Sequence, residues 1–245
     1  MRRPTLQWLK RLFGLISFTL FLWLSIMIAG IFGYALPWDA AALVTGPRPA
    51  LWNQQIALIS GHAGSDSGAV CQNSQGEVTL TEADINRAIA EATAATLTAL
   101  GAEVTLLEEY DTRLASLRAD LLLSLHADSC IEASGFKAAN YTQSRIPVSE
   151  ARLLACINLH YAQGTGLAEH PNTVTHDMTE YHVFKRIHHE TPAAILEMGF
   201  MGGDQTILTQ EETRIAQAIA DAARCFLAPD PPPTAPSTQE AIAEE

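Results

Sequence analysis

The chain has 245 residues, 48% of them hydrophobic and 7% aromatic, which suits one ordinary domain with extensions and excludes wholesale disorder. Fifteen basic and twenty-seven acidic residues give a net charge of −12, and the first fifty residues hold five of the basic ones (Arg2, Arg3, Lys10, Arg11, Arg48) against one acid, Asp39. The remainder is strongly acidic with no basic stripe, which argues against a nucleic-acid partner, and four cysteines are too few for a disulfide-scaffold protein.

Residues 1–11 read as a basic N-terminus facing the cytoplasm. Residues 12–36 carry no charged side chain. As a helix that run is about 37 Å long against a hydrocarbon core of about 30 Å, so it predicts a single transmembrane anchor. The positive residues before it and the lone acid after it place the following chain outside the cytoplasm. A cleaved signal peptide is the competing reading, although its apolar region spans only about 7–15 residues. Residues 37–54, with three prolines, read as a linker, and residues 228–245, proline-rich and acidic, as a disordered tail. Outside the cytoplasm Cys71, Cys130, Cys156 and Cys225 are free to pair; their spacing matches no zinc motif, and buried free thiols remain equally open.

Residues 55–227 alternate strand-like and helix-like signals. Gln55–Ser60 reads as a first strand. Thr81 opens a helix in capping-box fashion, with Ile85, Ile89, Ala92 and Leu100 on its apolar face and Gly101 as its stop. Glu103–Leu107 and Leu121–Leu125 read as further strands, and Gly135–Tyr141 as an edge strand. A helix over about 149–163 is expected to start at Ser149. Ala193–Glu197 is another apolar strand, and Thr209-x-x-Glu212 is expected to cap a last helix carrying Ile215, Ile219, Ala222 and Phe226. Strands buried on both faces and separated by helices predict an α/β layered domain, its central sheet largely parallel or mixed and flanked by helices.

In such a sheet ligands bind at the carboxyl ends of the strands. His62 follows the first strand, His126 ends LLLSL and Glu197 ends AAILE, while Glu82 opens the helix after strand one. These four are therefore predicted to converge on one rim. Two imidazoles and a carboxylate suit a catalytic zinc with an open fourth position, and a second carboxylate suits a general base. Each alone has an ordinary explanation: a strand-end histidine satisfied by hydrogen bonds, or a first-turn acid favoured by the helix dipole. Glu197 is the exception, because an acid ending an apolar strand needs a partner or a task.

At these residues the sequence resembles the zinc-dependent N-acetylmuramoyl-L-alanine amidases of bacterial cell walls, the amidase-3 type. The resemblance spans about 55–227 through four ordered blocks: GHAGSDSGA at 61–69, TEADINRAIA at 81–90, SLHAD at 124–128 and PAAILEMGF at 192–200. It implies zinc ligands at His62, Glu82 and His126 and a catalytic Glu197, with Asp84 and Asn86 also matching. The chain departs from the family pattern at Ile59, Ser60 and Ala63 and in a short stretch from Asp111 to His126. Some relatives carry an inserted helix that blocks the site; the interval from His126 to Glu197 leaves little room for one, predicting open access.

The resemblance implies hydrolysis of the amide between N-acetylmuramic acid and L-alanine of peptidoglycan, with one Zn²⁺ per chain and Glu197 passing the proton. Asp66 is either a partner orienting a ligand or a solvated turn residue. His176, His182, His188 and His189 cluster in 170–190 and read as a loop more readily than as groove lining. Three alternatives stand beside this reading. One is a different zinc peptidase acting on wall peptides. Another is a weakly catalytic wall-binding module. The third is a two-carboxylate glycosidase, which would leave both histidines unexplained.

Overall fold

The structure is a computed structural model that describes residues 3–31 and 48–228. The linker expected over 37–54 lies mostly outside the described residues, as does the tail from residue 229 onward. The chain divides into two units at Pro49/Ala50.

The first unit contributes one helix, α1 (Arg3–Ile31). Its Leu12–Ala29 segment is long and apolar enough to cross a membrane and lies wholly unburied. Two of its hydroxyls bond back to the helix: Thr19 Oγ1 donates to the Ile16 carbonyl and Ser25 Oγ to that of Phe21, both at 2.9 Å. Such bonds satisfy hydroxyls on an apolar helix.

The second unit is built on a five-stranded sheet. Its members are β1 (Gln55–Ser60), β4 (Glu103–Glu108), β5 (Leu121–Asp128), β6 (Lys137–Ala139) and β7 (Ala193–Phe200), in the spatial order β4-β1-β5-β7-β6. The first four pair in parallel, and only β6 at the edge runs antiparallel to β7. From β1 the chain crosses to β4 on one side; from β5 it continues to β7 and β6 on the other. The direction of winding thus reverses between β1 and β5, and their carboxyl ends bound the crevice where α/β sheets bind ligands. A short hairpin, β2 (Val70–Gln72) with β3 (Val78–Thr81), fills the connection after β1.

Side-chain alternation assigns the two faces of the sheet. Ile56 and Leu58 of β1, Leu121, Leu123 and Leu125 of β5, and Ala194, Leu196 and Met198 of β7 face three long helices. These are α2 (Glu82–Ala99), α3 (Pro147–Thr165) and α6 (Glu212–Leu227). The alternate residues, Ala57, Ile59, Leu122, Ala193 and Ile195, face a thinner layer formed by Leu114, Met178, Tyr181, Val183 and Phe184. That layer contains only single turns, at Thr112–Leu114, α4 (His176–Thr179) and His182–Lys185, stitched by Ser116 N to Arg186 O (2.8 Å) and His188 N to Leu117 O (2.9 Å).

Two expected helix starts are displaced. Pro147, not Ser149, opens α3, because proline at the first helical position has no amide to satisfy. Thr209 caps nothing. It lies inside α5 (Gln205–Gln210), its hydroxyl bonded to the Gln205 carbonyl, and α6 begins at Glu212 after Glu211. The cap at Thr81 is as expected: its hydroxyl oxygen accepts from the Asp84 amide at 3.3 Å. All four cysteines are paired, Cys71 with Cys130 and Cys156 with Cys225. The first bridge ties β2 to the turn after β5, and the second ties α3 to α6.

Candidate active site

Each of the four parallel strands delivers one titratable residue to the same edge of the sheet. His62 stands two residues past β1 in a left-handed turn (φ 64°). His126 shares the thin-layer side of β5 with Leu122 and Ser124, and Glu197 shares that side of β7 with Ala193 and Ile195. His126 and Glu197 are direct register partners across the β5–β7 pair. The residue after β4 is Glu109. Glu82 arrives from beside them as the first residue of α2, where the Thr81 cap and the helix N-terminus suit a carboxylate.

Two glycines allow this convergence. A Cβ on Gly61 would stand 2.5 Å from Cε1 and Nε2 of His126, so only a glycine lets β1 pass the imidazole. Gly68, at φ +61°, would put a Cβ 2.5 Å from Glu82 Oε2.

The three residues expected to bind a metal do meet. Glu82 Oε1 lies 3.2 Å from His62 Nε2 and 3.0 Å from His126 Nδ1, and one donor atom from each residue falls within 4.8 Å of the others. Donors about 2.1 Å from a tetrahedral ion stand about 3.4 Å apart, so the spacing and the nitrogen–oxygen donor set fit a zinc-sized ion. The second oxygen of Glu82 accepts from the Ala69 amide at 2.9 Å, and Asn86 Nδ2 donates both to Glu82 Oε1 (3.3 Å) and to the Gly61 carbonyl (3.1 Å). Glu82 is thereby locked in place.

On the far side of His62, Nδ1 lies 2.6 Å from Asp66 Oδ1, and Asp66 in turn accepts from the Gly68 amide. The side chain of His62 keeps about a quarter of its surface exposed, so the site opens to solvent. On the far side of His126, Nε2 lies 3.5 Å from Glu109 Oε2, and that same oxygen accepts from the His62 amide at 3.1 Å. Glu109 Oε1 accepts from the Tyr181 hydroxyl (2.7 Å) and sits 2.8 Å from His182 Nε2. His182 stacks on Tyr110 with ring centroids 4.5 Å apart.

Charge is unevenly shared across this cluster. Burial drives the Glu82 carboxyl upward, but bonds from His126, His62 and the Ala69 amide outweigh it and hold its pKa well below the usual carboxylate range. Glu109 is likewise raised by burial and brought down to about 2 by His126, Tyr181 and His182. Burial would lower His126, yet hydrogen bonds to Glu109 and Glu82 push it to about 10. Glu197 has no such partners. Its Oε2 is sealed from solvent without a hydrogen bond, and burial lifts its pKa to about 7 despite the nearby His126. Lys137, its register partner on β6, spends its ammonium on Asp128 and the Thr173 carbonyl.

Glu197 is therefore the one carboxylate here with a free oxygen and a pKa near neutrality. That combination suits proton transfer at pH 7.

The structure brings His62, Glu82 and His126 together, sets Glu197 opposite His126 in the sheet and lays Asp66 against Nδ1 of His62. Of His176, His182, His188 and His189, His182 belongs to the site rather than to a loop apart from it, while His176 begins α4. His188 and His189 group with Glu190, but Arg118 Nη2 lies 2.6 Å from His188 Nε2 and already occupies that nitrogen. Glu109 and Tyr181 were missed. Glu109 was legible by the rule that found His126, since Glu108 and Glu109 directly end the apolar run EVTLL. Tyr181 carried no signal, because its role depends on the turn that lays it across the sheet.

The model of the N-acetylmuramoyl-L-alanine amidase family (Amidase_3) matches residues 56–225. No curated protein matches the chain. Among solved structures, an N-acetylmuramoyl-L-alanine amidase from Clostridium difficile 630 is similar at 19% identity and a TM-score of 0.56, covering 73% of this chain and 99% of its own. The catalytic domain of the amidase CwlV from Bacillus (Paenibacillus) polymyxa var. colistinus is similar at 24% identity and TM-score 0.56, covering 71% and 98%. The CwlD amidase of Clostridioides difficile, solved in complex with the GerS lipoprotein, is similar at 20% identity and TM-score 0.56, covering 73% and 100%.

Proposed function

The chain belongs to the N-acetylmuramoyl-L-alanine amidase family, and from that premise we propose that it is a zinc-dependent hydrolase of peptidoglycan. The bond cut joins the lactyl carbonyl of N-acetylmuramic acid to the amine of L-alanine. The observation that carries this reading is the arrangement of one free carboxylate beside two imidazoles and a third acid. Glu197, the register partner of His126, carries an unpartnered oxygen, and donors of His62, Glu82 and His126 lie within 4.8 Å of one another.

His62, Glu82 and His126 would hold the zinc. When bound, the metal supplies a Lewis acid that polarises a carbonyl and makes water a better nucleophile near neutral pH. Glu197 accepts the proton of the attacking water. It then returns that proton to the departing alanine amine, which must leave protonated. Asp66 holds His62 by its outer nitrogen, so the inner one faces Glu82. The partly exposed His62 marks where substrate enters.

The apolar helix α1 supports a membrane-anchored form with the amidase unit on the outer side, close to its wall substrate. Two disulfides within that unit agree with an oxidising compartment.

The test is digestion of purified peptidoglycan by the detergent-solubilised chain, followed by end-group labelling. New alanine amino termini without new reducing sugar ends are expected. Reducing ends would indicate a glycosidase, other amino termini a wall peptidase, and wall binding with no new ends a binding module; each of these overturns the reading.

A further inference from the structure

Glu109 is used by no step above, yet it is among the most completely engaged groups in the molecule. It is a buried carboxylate, 5% exposed, at the end of β4. A charge in such a place is costly unless every lone pair is occupied, and here all are directed. One oxygen faces Tyr181 and His182 in the thin layer. The other faces the His62 amide and the outer nitrogen of the His126 ring. Tyr181 is fixed in turn by Ser124, whose hydroxyl lies 3.0 Å from the phenol oxygen and which stands two residues before His126 on the same side of β5.

The two imidazoles are thus treated alike but through opposite nitrogens. His62 turns Nε2 to Glu82 and anchors Nδ1 on Asp66; His126 turns Nδ1 to Glu82 and sets Nε2 towards Glu109. A carboxylate behind a ligating histidine fixes both the ring orientation and which nitrogen keeps its lone pair.

We propose that Glu109 is a positioning residue of the metal site, which orients His126 through its ring and His62 through its amide and is itself set by Tyr181 and His182. The inference rests on the zinc reading above. The turn at His62 adds to it: a histidine at φ 64° is held in a conformation that side chains other than glycine seldom adopt, and the bond from its amide to Glu109 is a local restraint on it. The segment 181–182 therefore joins the site through this shared acid and through the Tyr181 hydroxyl, which also lies 3.5 Å from His126 Nε2.

The experiment is a zinc titration of the full chain in detergent, in competition with a chromophoric chelator, for wild type, Glu109→Gln and Tyr181→Phe. It is paired with thermal unfolding of the zinc-free proteins and the visible spectrum of the cobalt-substituted forms. Glutamine keeps an acceptor for one donor and removes the charge. Glu109→Gln is expected to weaken zinc binding of the folded protein roughly 10- to 100-fold and to shift the cobalt spectrum, with zinc-free unfolding lowered by the loss of its charged acceptor. Tyr181→Phe is expected to weaken binding roughly fivefold, the worth of one hydrogen bond.

Zinc affinity within threefold of wild type and an unaltered cobalt spectrum in Glu109→Gln would overturn the proposal while leaving the metal site itself standing. Should Glu109→Gln not fold, an unchanged affinity in Tyr181→Phe would overturn it equally. A wild type that takes up no zinc removes the metal reading and this inference with it.

Discussion

The two faces of the sheet are built from the same strands and do different work. One face is covered by α2, α3 and α6, which pack as a continuous layer over Ile56, Leu58, Leu123 and Leu196 and are tied by Cys156–Cys225. The other is covered by single turns, yet its strand residues include Ser124, His126 and Glu197, and its covering residues include Tyr181. The thick layer supplies most of the buried area and sends one residue to the site, Glu82 from the first turn of α2. The thin layer supplies less area, and its side chains end in the site. In this fold stability and chemistry are divided by the parity of the strand residues.

Four changes test that division. The largest effect is expected from Glu197→Gln on the thin side. Turnover of peptidoglycan should fall about 10²- to 10⁴-fold, with bound zinc near one per chain and unfolding unchanged. Turnover that persists would take Glu197 out of the proton-transfer role. Next comes the thick side, where Phe226 of α6 is buried beneath the Arg152 guanidinium. Phe226→Ala should cost about 3–5 kcal/mol in denaturant unfolding and leave zinc affinity as it was. A loss of zinc affinity in the folded variant would show that the two faces are coupled.

Replacing both Cys156 and Cys225 by serine should cost about 2–4 kcal/mol, again with kcat/KM unaltered once the chain is folded. A smaller loss than either thick-side change is expected on the thin side, where Tyr181→Phe removes the hydrogen bonds to Glu109 and Ser124, each worth about 1 kcal/mol. It should nonetheless weaken zinc binding, which neither thick-side change does. The comparison would fail if the ranking of zinc affinities followed the ranking of stabilities.

Much of this was legible from local pattern. The apolar runs ending in His126 and Glu197 show both the strands and their last polar residue, because a buried parallel strand tolerates a charge only where the sheet opens. Thr81 announces the helix that presents Glu82. Other features were not local. Thr209 has the residue type of a cap, but a separate short helix claims it, and helix starts depend on where the preceding chain is delivered. His182 looked like one of several loop histidines, since nothing in HVFK distinguishes a turn over solvent from a turn over a sheet. The cysteine spacings allowed three pairings, and only the packing of α3 against α6 and of β2 against the turn after β5 selects one.

By itself the sequence determined the chemistry on offer: the four residues His62, Glu82, His126 and Glu197, the strand ends that carry three of them, and the apolar segment that precedes them all. These follow from residue type and period, which act over a few positions. The tertiary structure alone decided the company each acid keeps. Glu82, Glu109 and Glu197 are the same side chain, and they differ because two are met by imidazoles and amides from remote parts of the chain while the third is left with a bare oxygen. Hydrogen bonds reach about 3 Å, and which groups come that close is a property of the assembled sheet and its thin covering layer.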